Sequence, residues 1–226
     1  MARKQFLSFL LIFSLLFSCA SALAETDDDD DWDDNVDDAW EMEHPLHSGD
    51  YAYALLDDGT VEITSYGGAD TEIVIPDTLD GKPATAIGER AFYYSLSLTS
   101  VTIPDSVTCI SKRAFSCCYN LMSIALPSGL TAIEPGTFEL CNSLTSIAIP
   151  DSITTIAEDA FVSCKALQSF TLSPNHPYFF LADGALCRTV DNTLLFYPNA
   201  RENRTYRIPD GIAAISAYAF YLSLIH

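Results

Sequence analysis

Basic residues are scarce in this chain: 11 lysines and arginines stand against 31 aspartates and glutamates, a formal charge of −20 over 226 residues. A polyanion of this kind is repelled by nucleic acid and by anionic membrane surfaces, so neither is an expected partner. Motifs that carry chemistry are missing as well. There is no G-x-S-x-G nucleophile elbow, no H-E-x-x-H zinc pair, no Walker-type phosphate loop and no C-x-x-C. No apolar run reaches the roughly 20 residues of a spanning helix, and the run from Phe6 to Phe17 is 12 residues long. An integral membrane span is therefore not expected. Nothing in the pattern calls for a cofactor, a metal or a catalytic residue, and the chain reads as a non-enzyme.

What is present at the start is a targeting signal. Arg3 and Lys4 form a basic leader, Phe6 to Phe17 an apolar core, and Ala22-Leu23-Ala24 a small-x-small cleavage site, the three parts of a secretory signal peptide over residues 1–24. A second reading takes Leu16-Phe17-Ser18-Cys19 as a lipobox with Cys19 lipidated. Both place the protein outside the cytoplasm, extracellular or on the cell surface. Residues 25–48 follow, with nine aspartates between Asp27 and Asp38. Like charges at this density repel and bury no apolar surface, so the segment is expected to be a disordered acidic tether. A calcium loop is not indicated, because no glycine or terminal glutamate stands at the required spacing.

Residues 49–226 carry the organising feature. From Leu98 the chain repeats a 23-residue unit three times without a gap, over 98–120, 121–143 and 144–166. Leucine opens each copy (Leu98, Leu121, Leu144), proline is seventh (Pro104, Pro127, Pro150) and isoleucine thirteenth (Ile110, Ile133, Ile156). Phenylalanine is eighteenth (Phe115, Phe138, Phe161) and cysteine twenty-first (Cys118, Cys141, Cys164). Around Val101 to Ile103 and its counterparts apolar and small polar residues alternate, the period of a half-buried strand. The proline then ends the ladder and Asp-Ser or Ser-Gly turns the chain. One short strand and a turn per repeat are expected. A single copy buries too little to stand alone, so copies must stack. The fold class is a β-rich repeat solenoid of short parallel strands joined by turns, right-handed and quasi-linear, with coils adding at about 4.8 Å.

The flanks vary this theme. Tyr51 to Tyr66 holds two alternating runs around Asp57-Asp58-Gly59, a β-hairpin fit to cover the open front end. Thr71 to Ser95 is a degenerate repeat with five extra residues around Asp80-Gly81-Lys82-Pro83. A hairpin insertion is expected over about 174–202, with strands at Ala185 to Arg188 and Leu194 to Tyr197 around Asp191-Asn192. A last repeat is expected over about 203–226, truncated, leaving an open edge through which copies of the chain would associate.

The pattern L-x-S-I-x-I-P-D-S-I-T-x-I-x-x-x-A-F-x-x-C-x-x resembles the BspA-type leucine-rich repeat of bacterial and protist surface proteins. That resemblance implies adhesion and protein ligands, host or matrix proteins among them. A structural spacer within a larger surface protein, or the repeat region of an enzyme whose catalytic domain lies elsewhere, are the alternatives.

Candidate sites are few. Tyr93, Tyr94, Tyr178, Phe179, Phe180, Phe196 and Tyr197 are aromatics at turns and in the insertion, read either as interface anchors or as caps on the solenoid interior. Cys118, Cys141 and Cys164 read as buried structural thiols, with a pairing to His44, His47 or His176 as the chemical alternative. His44-Pro45-Leu46-His47 is a metal pair or an incidental solvated loop, and Asn203-Arg204-Thr205 is a glycosylation sequon. The outward residues Ser100, Ser123, Ser146 and Ser169, with Thr102, Ala125, Ala148 and Thr171, predict a flat surface of small side chains.

Overall fold

The computed structural model describes residues 45–200 and 205–221. The signal segment with Cys19, the acidic stretch to His44, Asn203 and Arg204 of the sequon, and residues 222–226 lie outside the described residues. Among the described residues there are strands and turns and no helix, wound as a β-solenoid of about 7 turns.

The front end is sheet before it is repeat. β1 (Leu46–Ser48), β2 (Tyr51–Leu55) and β3 (Val61–Tyr66) form an antiparallel meander. The hairpin is where the alternation places it, but β1 takes three residues that the sequence assigns to the tether. β4 (Glu72–Val74), β5 (Thr78–Leu79) and β6 (Lys82–Ile87) make the degenerate repeat. Its five extra residues are a small hairpin. β5 and β6 pair antiparallel around Asp80 and Gly81, both at positive φ, 48° and 77°, the geometry that an Asp-Gly turn adopts.

The regular repeats then follow as β7 (Ser100–Thr102) and β8 (Cys109–Ile110), β9 (Ser123–Ala125) and β10 (Ala132–Ile133), β11 (Ser146–Ala148) and β12 (Thr155–Ile156), with β13 (Ser169–Thr171) opening the next coil. Two strands per repeat replace the one expected. A two-residue strand around the thirteenth-position isoleucine is too short to show alternation, and the ladder that defines it lies one coil away. The first track pairs parallel in the 23-residue register, Ser100 with Ser123 and Ser146 with Ser169. The second does the same, Ile87 with Ile110 and Ile133 with Ile156. β3 pairs parallel with β6, so the front hairpin covers the second track. Each proline closes its turn by accepting from the residue three positions on, Val107, Leu130 and Ile153, at 3.0, 3.3 and 3.0 Å.

Inside, Phe92, Phe115, Phe138 and Phe161 form one column, with ring centroids 4.8, 5.9 and 5.5 Å apart and planes within 15° of parallel. Offset stacking of this kind adds to burial. Tyr66 extends the column forward, 5.4 Å from Phe92.

The insertion has three strands where two are expected: β14 (Phe179–Ala182), β15 (Ala185–Arg188) and β16 (Thr193–Phe196), all antiparallel. β17 (Ala214–Ile215) pairs parallel with β16 and restores the coil. The insertion divides the interior into a large core reaching from Tyr53 to Phe196 and a small one built on Ala185, Cys187, Leu194, Tyr197 and Ala219. In the last described coil Ile208 and Ile215 hold positions that are interior elsewhere, yet stand 41% and 48% exposed.

Candidate interaction surfaces

The cysteine column is structural. Cys118, Cys141 and Cys164 are buried free thiols, and each donates to the carbonyl of the phenylalanine one coil back: Phe92 at 3.0 Å, Phe115 at 3.3 Å and Phe138 at 3.1 Å. Burial pushes the Cys118 and Cys164 thiols up to about 12 and the Cys141 thiol well above its ordinary value. A thiol so held is no nucleophile at neutral pH. His176 is not brought to any of them. Its Nδ1 accepts from the N–H groups of Tyr178 and Phe179 at 3.3 and 3.2 Å, so Nε2 carries the proton donated to the Pro150 carbonyl, 2.9 Å away. His47 is an exposed residue of β1, and among the described residues no three histidines, cysteines or acids gather as a metal site.

The seven aromatic candidates separate. Phe179, Phe196 and Tyr197 are 2%, 5% and 5% exposed and cap the interior. Phe196 meets Phe161 edge-on at 5.2 Å. Tyr197 takes the place of the repeat phenylalanine: its N–H reaches the Ala219 carbonyl at 2.8 Å, as that of Phe138 reaches Ala160 at 3.0 Å. Phe180 is half-buried against the small core. Only Tyr93, Tyr94 and Tyr178 are open, 49%, 53% and 45% exposed.

Tyr93 and Tyr94 belong to a corner that the sequence only half reveals. The twentieth position of each repeat is left-handed: Tyr94, Cys117, Leu140 and Ser163 have φ of 62° to 65°. Non-glycine residues seldom adopt this conformation, and here a hydrogen bond to the next coil secures it, from Tyr94 N–H to Ser116 at 3.1 Å and from Cys117 N–H to Glu139 at 2.8 Å. Tyr94 thereby turns outward beside Tyr93 (6.1 Å) and edge-on to Tyr119 of the following coil (5.8 Å). Hydrogen bonding to Cys117 is the main cause raising the Tyr93 and Tyr119 phenols above their usual range. Tyr119 and Cys117 are missing from the aromatic candidates above; only the 23-residue offset from Tyr94, which ends on Cys117, marks the neighbour. In later coils this place is held by Leu140 and Ser163, so the tyrosine corner is confined to the front of the solenoid.

The strand surface is as flat as its residues imply. Ser123, Ser146 and Ser169 are exposed along one line, with Thr102, Ala125, Ala148 and Thr171 along the other, and Ser123 donates to Ser100 at 3.1 Å. Beside the insertion lies a half-open cleft of about 500 Å³, walled by Leu172, Pro174, His176, Phe179 and Leu181.

Two parallel tracks per 23-residue coil, an inward phenylalanine and a cysteine returned to the preceding coil define a leucine-rich repeat solenoid. The chain belongs to the BspA-type leucine-rich repeat family: the family model described as "BspA type Leucine rich repeat region" matches in six copies over residues 71–180. A leucine-rich repeat protein from Bacteroides capillosus is 30% identical, over 57% of this chain and 98% of its own, with a TM-score of 0.50. One from Eubacterium ventriosum is 23% identical over 78% of this chain and 56% of its own, at 0.57. The pneumococcal vaccine antigen PcpA shares the fold at 17% identity, over 78% of this chain and 62% of its own, at 0.50. No curated protein matches the sequence.

Proposed function

We propose that this is an exported, non-catalytic interaction module that grips a protein partner, in the manner of an adhesion module, through the tyrosine corner at the front of its solenoid. The leader of residues 1–24 and the acidic segment after it support export and separation from the surface that bears it. Cys19 as a lipid anchor is the variant of this reading that ties the protein to a membrane.

The observation that carries the proposal is Tyr93, Tyr94 and Tyr119 clustered with two of them more than 45% exposed, on backbone held in a left-handed turn. Tyrosine supplies large amphipathic area at low entropic cost and is enriched where interfaces concentrate their energy. Pre-ordering by the left-handed turn and its backbone hydrogen bonds to the next coil removes part of the cost of binding. The flat strand surface of serine, threonine and alanine offers no comparable anchor.

The test is binding of the mature protein to immobilised host-surface and extracellular-matrix proteins, compared with Tyr93→Ala/Tyr94→Ala. The double variant is expected to bind about tenfold or more weakly with an unchanged melting temperature. Equal binding by the two proteins contradicts the assignment, and no binding across the panel favours a spacer.

A further inference from the structure

Beside the insertion the chain ends two sheets together. β13 is the last strand of its track and β14 the first of the insertion sheet, and among the described residues no strand covers the outer side of either. The β14–β15 register fixes which backbone groups are open. Thr189 N–H bonds to the Tyr178 carbonyl at 2.9 Å, and Phe179 lies opposite Arg188, Phe180 opposite Cys187 and Leu181 opposite Leu186. Hydrogen-bonded pairs alternate along an antiparallel ladder, so Phe180 faces β15 while Phe179 and Leu181 direct N–H and C=O away from it. The outward Phe179 N–H is taken by His176. That leaves the Phe179 carbonyl and both backbone groups of Leu181 aimed outward.

A natural edge is guarded by lysine, proline, a bulge or a covering loop. β14 reads Phe-Phe-Leu-Ala, and Leu181 is 41% exposed. Below that side chain lies the cleft of about 500 Å³ lined by Leu172, Pro174, Phe179 and Leu181. A backbone donor–acceptor pair above an apolar recess is the requirement for strand addition, in which main-chain bonds supply affinity and every second side chain enters a pocket. A compact small molecule would leave the backbone pair unanswered.

Charge narrows the occupant. The Ser173 hydroxyl on the cleft wall donates to the Asp151 carboxylate at 2.7 Å. The one cation of β15, Arg188, is clamped by Asp191 at 2.6 Å. The cleft lining itself carries no charged side chain, Arg188 is neutralised, and the one uncompensated charge held at the wall is the Asp151 carboxylate. We infer that the free edge of β14 and the cleft beneath it accept an extended segment of a second polypeptide, bearing a large apolar side chain flanked by lysine or arginine. This site lies on a different part of the chain from the tyrosine corner and stands or falls separately from it.

The probe is a fluorescein-labelled, end-capped peptide, Lys-Thr-Val-Phe-Val-Thr-Lys, titrated with the protein in an anisotropy assay. Saturable binding is expected. It should weaken about tenfold or more when alternate peptide amides are N-methylated or both lysines become glutamates, because each change removes one of the two recognised features. Leu181→Lys should weaken it similarly, whereas Tyr93→Ala/Tyr94→Ala should leave it unchanged. No saturable binding, or equal affinity for the N-methylated peptide, overturns the inference even if Leu181→Lys fails to fold. Dimerisation of the protein that Leu181→Lys abolishes overturns it in favour of a second copy of this chain as the occupant.

Discussion

Phe138 and Ser123 show how unevenly a repeat divides its residues. Phe138 is fully buried between Phe115 and Phe161, so truncation leaves a cavity that the neighbouring rings cannot close. Ser123 stands on the outer strand surface with one hydroxyl contact to Ser100. Phe138→Ala is expected to cost about 3 to 5 kcal/mol and Ser123→Ala less than about 0.5 kcal/mol, measured by urea unfolding; equal losses would mean that the faces are exchanged. The thiol column yields a second expectation. Cys118 and Cys164 are held up to about 12 by burial, while an unfolded thiol ionises near pH 8.5. The folded state therefore binds more protons than the unfolded one between those values, and stability falls as pH rises from about 8.5 towards 12. Below that window these thiols add no pH dependence. Replacing Cys118, Cys141 and Cys164 by alanine should flatten the alkaline limb in chemical denaturation, and a limb of unchanged slope would show that other groups cause it. The same residues should resist thiol reagents until the chain unfolds.

At the scale of elements, the sequence makes legible what repeats and conceals what is paired across coils. The 23-residue spacing places β7, β9, β11 and β13 and their outward serines, because alternation is visible within three residues. The second track was invisible for a physical reason: Thr155 and Ile156 become a strand only by lying against Ala132 and Ile133. The sequence leaves Phe179 as either an anchor or a cap, and β14 buries its side chain while leaving Leu181 open. The two side chains share one face of β14, and the strand runs from the covered interior at Phe179 to the open rim at Leu181. The tyrosine corner was half legible. Tyr93 and Tyr94 stand out in the sequence, but the left-handed backbone that turns Tyr94 outward, and the edge contact that joins it to Tyr119, depend on contacts between successive coils. The five extra residues near Asp80 are visible in the sequence as an insertion, and only the β5–β6 pairing makes them a hairpin. Their function appears in the fold, where Asp80 accepts from Ser48 and Tyr53 at 2.9 and 2.7 Å and fastens the front meander to the first coil.

For the whole molecule, a stack of coils is stable through nearest-neighbour contacts, and specificity must come from places where the repeat is broken. The front corner and the insertion are the two such places here. The outer strand surface between them repeats the same small residues and serves as a ladder. The central claim is that a partner is held at the front corner, and hydrogen–deuterium exchange of the protein, free and bound to the matrix protein it retains best, tests it most directly. Slowed exchange is expected over Phe92 to Tyr94 and Ser116 to Asn120, with β7, β9, β11 and β13 unchanged. Protection spread along those strands, with none at Tyr94 and Tyr119, would contradict the claim.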